Sequence, residues 1–141
     1  MDEFHRQSLP PDTLEALLGR MAEQLRPVEG ILAAVLYGSA AEGLPCRDLD
    51  VALLVDREVW PPTQDEHLEH RVTRLLASLA PLPVDVRVVN DAPATFRYHV
   101  TRGRPFLIGD EEAYATFLER TWDEYFDFAP FARKYFEEIV R

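Results

Sequence analysis

The sequence predicts an α/β domain: a small mixed sheet of about four strands flanked by helices, with a C-terminal helical segment from about residue 110. Two observations predict it. Segments with apolar residues at helical spacing alternate with short, continuous apolar runs of strand length. Aspartates also interrupt two of the runs at positions that share one strand face.

Pro10-Pro11-Asp12-Thr13 marks a helix start, and Leu14, Leu17, Leu18, Met21 and Leu25 follow at helical spacing. Pro27 and Gly30 stop that helix. Ile31 to Tyr37 is a buried strand, and a second runs from about Asp48 to Val55. Trp60-Pro61-Pro62 is a turn. A helix follows from about Thr63 to Leu79, with Leu68, Val72, Leu75, Leu76 and Leu79 on one face. Val84 to Val89 is a third strand, Ala92 to Arg102 a helix, and Pro105 to Ile108 a short fourth strand. From Asp110 the chain reads as helical and aromatic-rich, with a break near Pro130. Its set of Tyr114, Phe117, Trp122, Tyr125, Phe126, Phe128, Phe131, Tyr135 and Phe136 divides between core and interface. Residues 1–141 are read as one domain.

The 141 residues are 47% hydrophobic and 28% charged, the balance of a soluble globular protein. A single cysteine, Cys46, excludes an internal disulfide framework. Neither a signal peptide nor an apolar run of membrane-spanning length stands out, so the expectation is a cytoplasmic protein without membrane contact. The formal net charge of −10 repels a phosphate backbone, so direct nucleic-acid binding is not expected.

The chemistry lies in Val35-Leu36-Tyr37-Gly38-Ser39, an eight-residue link, and Asp48-Leu49-Asp50-Val51-Ala52-Leu53-Leu54-Val55. Period-two alternation sends Asp48 and Asp50 to one side and Leu49, Val51, Leu53 and Val55 to the other. Two carboxylates so close repel unless a cation lies between them, and hard oxygen donors suit Mg²⁺ or Mn²⁺. Asp85, in Val84-Asp85-Val86-Arg87-Val88, shares a face with Arg87. The helix between the second and third strands makes them parallel neighbours, which brings Asp85 to the same end of the sheet. The short link after Ser39 makes the first pair antiparallel.

Gly38 allows backbone to approach a phosphate closely, and Ser39 offers a hydroxyl. A nucleoside triphosphate bridged by metal ions to Asp48, Asp50 and Asp85 is the simplest ligand. Plainer alternatives stand beside this. Ser39 could simply cap a helix, Arg87 could hold Asp85 in a structural ion pair, and Arg102 and Arg104 could be solvated rather than bound to phosphates or a partner. His5, His67, His70 and His99 show no metal spacing and read as surface or packing residues.

Gly38-Ser39, Asp48-Leu49-Asp50 and Asp85 together resemble the minimal nucleotidyltransferase (MNT) family of the polymerase β-like superfamily. The likeness extends to Arg102-Gly103-Arg104-Pro105-Phe106, Phe117-Leu118-Glu119-Arg120 and Tyr125-Phe126-Asp127-Phe128-Ala129-Pro130. The resemblance implies transfer of AMP from ATP to a tyrosine of a partner protein. That partner would be a HEPN ribonuclease toxin, with this chain as its antitoxin. Asp48, Asp50 and Asp85 would be the catalytic, metal-holding carboxylates, and Gly38 and Ser39 would bind nucleotide. The chain departs from the family at Glu42, where an arginine is usual, at Arg47, where a small residue is usual, and in the shorter link to Asp48. Those departures fit a binding-only antitoxin of the same fold. A small-molecule nucleotidyltransferase is a third reading.

Overall fold

The computed structural model describes residues 6–128. The elements follow the order α1 (Pro11–Leu25), β1 (Ile31–Tyr37), β2 (Leu49–Val55), α2 (Asp65–Ala77), β3 (Val84–Val88), α3 (Ala94–Thr101), β4 (Arg104–Ile108) and α4 (Glu111–Phe128). The predicted break at Pro130 and the aromatics Phe131, Tyr135 and Phe136 lie outside the described residues, as does the side chain of Phe128.

The sheet has the strand order β3-β2-β1-β4. β1 pairs antiparallel with β2 and β4, and β2 pairs parallel with β3. This is the mixed sheet expected from the short Ser39–Asp48 link and the α2 crossover. Pro105 sits on β4, an edge strand, where its missing N–H costs no ladder bond.

Element ends differ from the sequence pattern by one or two residues, for local reasons. Pro62–Gln64 forms a 3₁₀ turn, so α2 begins at Asp65, with Asp65 and Glu66 in its first turn. Pro93 holds extended backbone (φ −56°, ψ 149°), so α3 begins at Ala94 rather than Ala92.

Both faces of the sheet are buried. One face sends Ala34, Leu36, Leu49, Val51, Leu53, Val55, Val84 and Val86 against α1 and α2, whose Leu17, Met21, Leu25, Leu68, Val72 and Leu76 are almost wholly excluded from solvent. The other face carries Ala33, Val35, Tyr37, Ala52 and Leu54, covered by Val100 of α3 and by Tyr114 and Phe117 of α4. Asp50 belongs to this second face, one alternation before Ala52. The carboxylate face is therefore apolar for most of its length and polar only at one end.

Arg97 clamps the two covering helices together. It is 5% exposed. Its Nε donates to the Ala92 carbonyl at 2.9 Å and its Nη1 to the Thr121 hydroxyl at 3.1 Å, while Nη2 pairs with Glu124. A buried guanidinium needs such partners, because an unpaired buried charge is very costly. Arg97→Met keeps the apolar stem but removes three hydrogen bonds, and leaves Thr121 buried without its partner. The expected loss is about 2–4 kcal/mol of unfolding free energy, read from the urea midpoint. An unchanged midpoint would show that the clamp adds nothing.

Candidate active site

The site is built where β1 ends and β2 and β3 begin. Asp50 is the direct cross-strand partner of Tyr37 on β1 and of Asp85 on β3. Partners in register on neighbouring strands point to the same side, so Asp50 and Asp85 stand side by side. Asp48, just before β2, lines a cavity of about 230 Å³ together with Asp50, Ser39, Cys46, Arg47 and Arg6. Three of the sequence-predicted residues, Ser39, Asp48 and Asp50, thus share one cavity, and Asp85 flanks it.

Gly38 is required at its position on two grounds. Its φ is +79°, a conformation that L side chains rarely adopt, and a Cβ there would meet Asp50 Oδ2 at 2.7 Å. The turn therefore lies directly against the Asp50 carboxylate. It leads into a single 3₁₀ turn, Ser39–Glu42, closed by Gly43 at φ 74°. The Ser39 hydroxyl has no hydrogen-bond partner among the described residues, so it is free for a ligand rather than spent on a cap.

Electrostatics mark Asp50 as the strained member of the set. Burial raises its carboxyl above the ordinary range, the charges of Asp85 and Asp48 raise it further, and Arg87 and His99 oppose the rise. Burial and the same carboxylates of Asp50 and Asp85 push Tyr37 up to about 12, so its phenol stays neutral. Burial, then Asp48 and Asp50, also raise the Cys46 thiol, consistent with an inert cysteine. Arg87 Nε lies 3.6 Å from Asp85 Oδ2, with both side chains about half exposed, a weak ion pair. Its guanidinium also sits 5.9 Å over the Phe96 ring.

Among the described residues, no three His, Cys, Asp or Glu side chains close on one point as a finished metal cage. Asp85 Oδ2 lies 3.6 Å from Arg87 Nε. The donor set nevertheless fits a divalent ion. All three groups supply hard oxygens, and a cation between them would relieve the repulsion that raises Asp50.

Two residues at the site were not singled out by the sequence pattern. Arg6 reaches the carboxylate cavity because Gln7 pairs with Cys46, Gln7 N donating to Cys46 O at 2.9 Å and Cys46 N to Gln7 O at 2.9 Å. His99, expected to be a surface or packing residue, stands edge-on to Tyr37 with ring centroids 5.6 Å apart and lines a cavity with Gly38. Long-range pairing brings both here, and no local spacing signals it. Arg104, in contrast, is engaged with Glu15.

A larger cavity, about 480 Å³, lies at the other end of the sheet between Leu32, Leu54, Asn90 and Phe117. Its cations are already committed: Arg57 pairs with Asp65 and Asp91, and Arg120 with Glu124. Arg57 Nε there has no hydrogen-bond partner among the described residues, but no cluster of like charges accompanies it as it does at the aspartates.

Residues 20–112 match the family described as polymerase beta, nucleotidyltransferase. The chain belongs to that family. Solved structures agree on the fold. A chain of the toxin–antitoxin MntA–HepT crystal structure is 17% identical, with a TM-score of 0.63 over 90% of this chain and 99% of that one. A chain from the tri-AMPylated Shewanella oneidensis HEPN toxin in complex with MNT antitoxin is 18% identical, with a TM-score of 0.64 over 90% and 98%. A chain of a toxin–antitoxin structure with AMP-PNP is 20% identical, with a TM-score of 0.66 over 88% and 98%. No curated protein sequence matches the chain.

The raised Asp50 carboxyl makes a stability prediction. A carboxyl raised on folding disfavours its own charged form, so the penalty is present above the folded pKa and gone below the unfolded one. Asp50→Asn should raise the metal-free Tm by a few degrees at pH 7 and lose that advantage near pH 3. A lower Tm at pH 7 would show that the carboxylate stabilises the fold.

Proposed function

We propose that the protein is an antitoxin that transfers AMP from ATP to a tyrosine hydroxyl of a HEPN toxin, in the cytoplasm. The observation that carries this is the corner where Asp50 and Asp85 stand in register with Asp48 beside them, against the Gly38-Ser39 turn, in a chain of the nucleotidyltransferase family. The similar folds in an AMPylated toxin complex and in an AMP-PNP complex support the choice of nucleotide and acceptor.

Asp48, Asp50 and Asp85 would hold Mg²⁺ or Mn²⁺. When bound, the ions neutralise the phosphates and lower the pKa of the attacking hydroxyl. The chain's own groups do the rest. Gly38, without a side chain, lets backbone approach a phosphate, and the free Ser39 hydroxyl donates to a phosphate oxygen. The tyrosine oxygen forms a bond to the α-phosphorus. The bond from that phosphorus to the bridging oxygen of the β-phosphate breaks, and pyrophosphate leaves with the electron pair. The hydroxyl proton passes to a carboxylate and then to solvent.

The acceptor oxygen must come within about 3–3.5 Å of phosphorus, so the partner must border the carboxylates. A patch of Tyr98, Thr101, Arg102, Trp122 and Phe126 provides a docking surface nearby. Trp122 is 42% exposed, and Tyr98 stacks on Tyr125 at 4.1 Å. The acidic balance of the chain would steer a basic partner.

A second reading, a binding-only antitoxin, is favoured by Glu42, whose carboxylate lines a cavity beside Gly38 where phosphates would lie. Co-expression with a neighbouring all-helical protein separates the two, with size-exclusion chromatography and intact mass as readouts. The enzyme predicts a complex and AMP-sized increments on the partner. Increments should disappear with Asp48→Ala/Asp50→Ala while the complex persists. A complex without increments on wild-type protein favours binding alone, and neither complex nor increments overturns both.

A further inference from the structure

Gly38 and Ser39 separate two cavities. Ser39 faces the aspartates. Gly38 lines a second, smaller and more enclosed cavity of about 130 Å³ with Ala41, Glu42, His99, Arg102 and Gly103. The first holds Asp48 and Asp50, with Arg6 and Arg47 at its wall. The second carries two potential phosphate donors, the His99 ring and the Arg102 guanidinium.

The placement of these two groups is enforced by the fold. Gly103 follows Arg102 directly, and a Cβ at Gly103 would sit 2.3 Å from the Leu36 carbonyl oxygen and 3.0 Å from Tyr37 Cβ. Only a residue without a side chain lets the end of α3 press against the end of β1. Gly103 N donates to Val100 O at 2.9 Å and Arg102 N to His99 O at 3.2 Å, which fixes the last turn. His99 is set edge-on against Tyr37, the cross-strand partner of Asp50. Arg97, two residues before His99, locks α3 to α4.

Arg102 is also uncommitted. Arg57, Arg87, Arg97, Arg104 and Arg120 all make ion pairs with carboxylates, whereas the Arg102 side chain has none among the described residues. Glu42, across the same cavity, does not pair with it either. An exposed guanidinium held beside the Gly38 turn has its donors available for an anion.

We propose that Arg102 and His99, at the end of α3, hold the β- and γ-phosphates of the nucleotide on the Gly38 side of the turn, and that Glu42 weakens this grip. The inference rests on the nucleotide-binding reading above. It makes Arg102 and His99 positioning residues for the pyrophosphate that departs. It also explains how a site with Glu42 next to the phosphates can bind them: α3 supplies the positive charge that the Ser39–Glu42 turn lacks.

The test is calorimetric titration of the full chain with ATP in excess Mg²⁺, without any partner protein. Arg102→Gln should weaken binding about tenfold or more, and His99→Gln severalfold. Arg102→Lys should restore part of the loss, and Glu42→Gln should tighten binding severalfold. Arg104→Gln, outside the cavity and paired with Glu15, should change nothing. Thermal melts check that each variant folds, and the gain on Glu42→Gln cannot come from misfolding. Wild-type binding with Arg102→Gln and Glu42→Gln both within twofold of it overturns the inference and leaves the nucleotidyltransferase reading standing. No ATP binding by wild-type protein overturns that reading, and the inference with it.

Discussion

Like-charge repulsion at one corner of the sheet is the constraint around which the structure is arranged. Asp50 and Asp85 are cross-strand partners, Asp48 is two residues from Asp50, and the partial burial of Asp50 weakens the screening it would have in open solvent. Arg6 and Arg47 line the same cavity as Asp48 and Asp50, and further positive groups stand around it. Arg87 touches Asp85 only at 3.6 Å, and His99 offsets Asp50 from across Tyr37. On the proposed reading, this charge is kept for cations, and a phosphate chain is the ligand that arrives with them.

The rest of the molecule keeps that corner rigid. The α1/α2 layer supplies the apolar mass that fixes β1, β2 and β3 in register, with Leu36, Leu49, Val51 and Leu53 fully buried beneath the site. The α3/α4 layer covers the opposite face up to Tyr37 and stops there, so the same sheet face is a core at one end and a site at the other. Two close approaches set the boundary. Gly38 lies on Asp50, and Gly103 lies on the Leu36 carbonyl. Each brings a loop to the carboxylates that a larger residue would hold away.

Much of this was legible in the sequence because it depends on short-range rules. Strand parity placed Asp50 opposite Leu49 and Val51, and the crossover length made β2 and β3 parallel, which is what puts Asp85 beside Asp50. Gly38-Ser39 after an apolar run marked the turn. What local pattern could not carry is contact between distant segments. Arg97 reads as an ordinary helical arginine until Thr121 and Glu124 are brought to it. His99 has no ligand spacing in sequence, and its proximity to Tyr37 follows from how α3 crosses the end of β1. Parity also could not say that Asp85 leans toward Arg87, because a side chain's choice between a repelling and an attracting neighbour is made in three dimensions.

On the proposed reading, Asp48, Asp50 and Asp85 form one cation-dependent nucleotide site. A crystal structure of the full chain with Mg²⁺ and a non-hydrolysable ATP analogue tests it most directly. The expected result is metal density between Asp48, Asp50 and Asp85, with Asp85 turned away from Arg87 and the α-phosphate beside it. Nucleotide bound elsewhere, as in the large cavity between Leu54 and Phe117, with Asp85 still paired to Arg87, would contradict it.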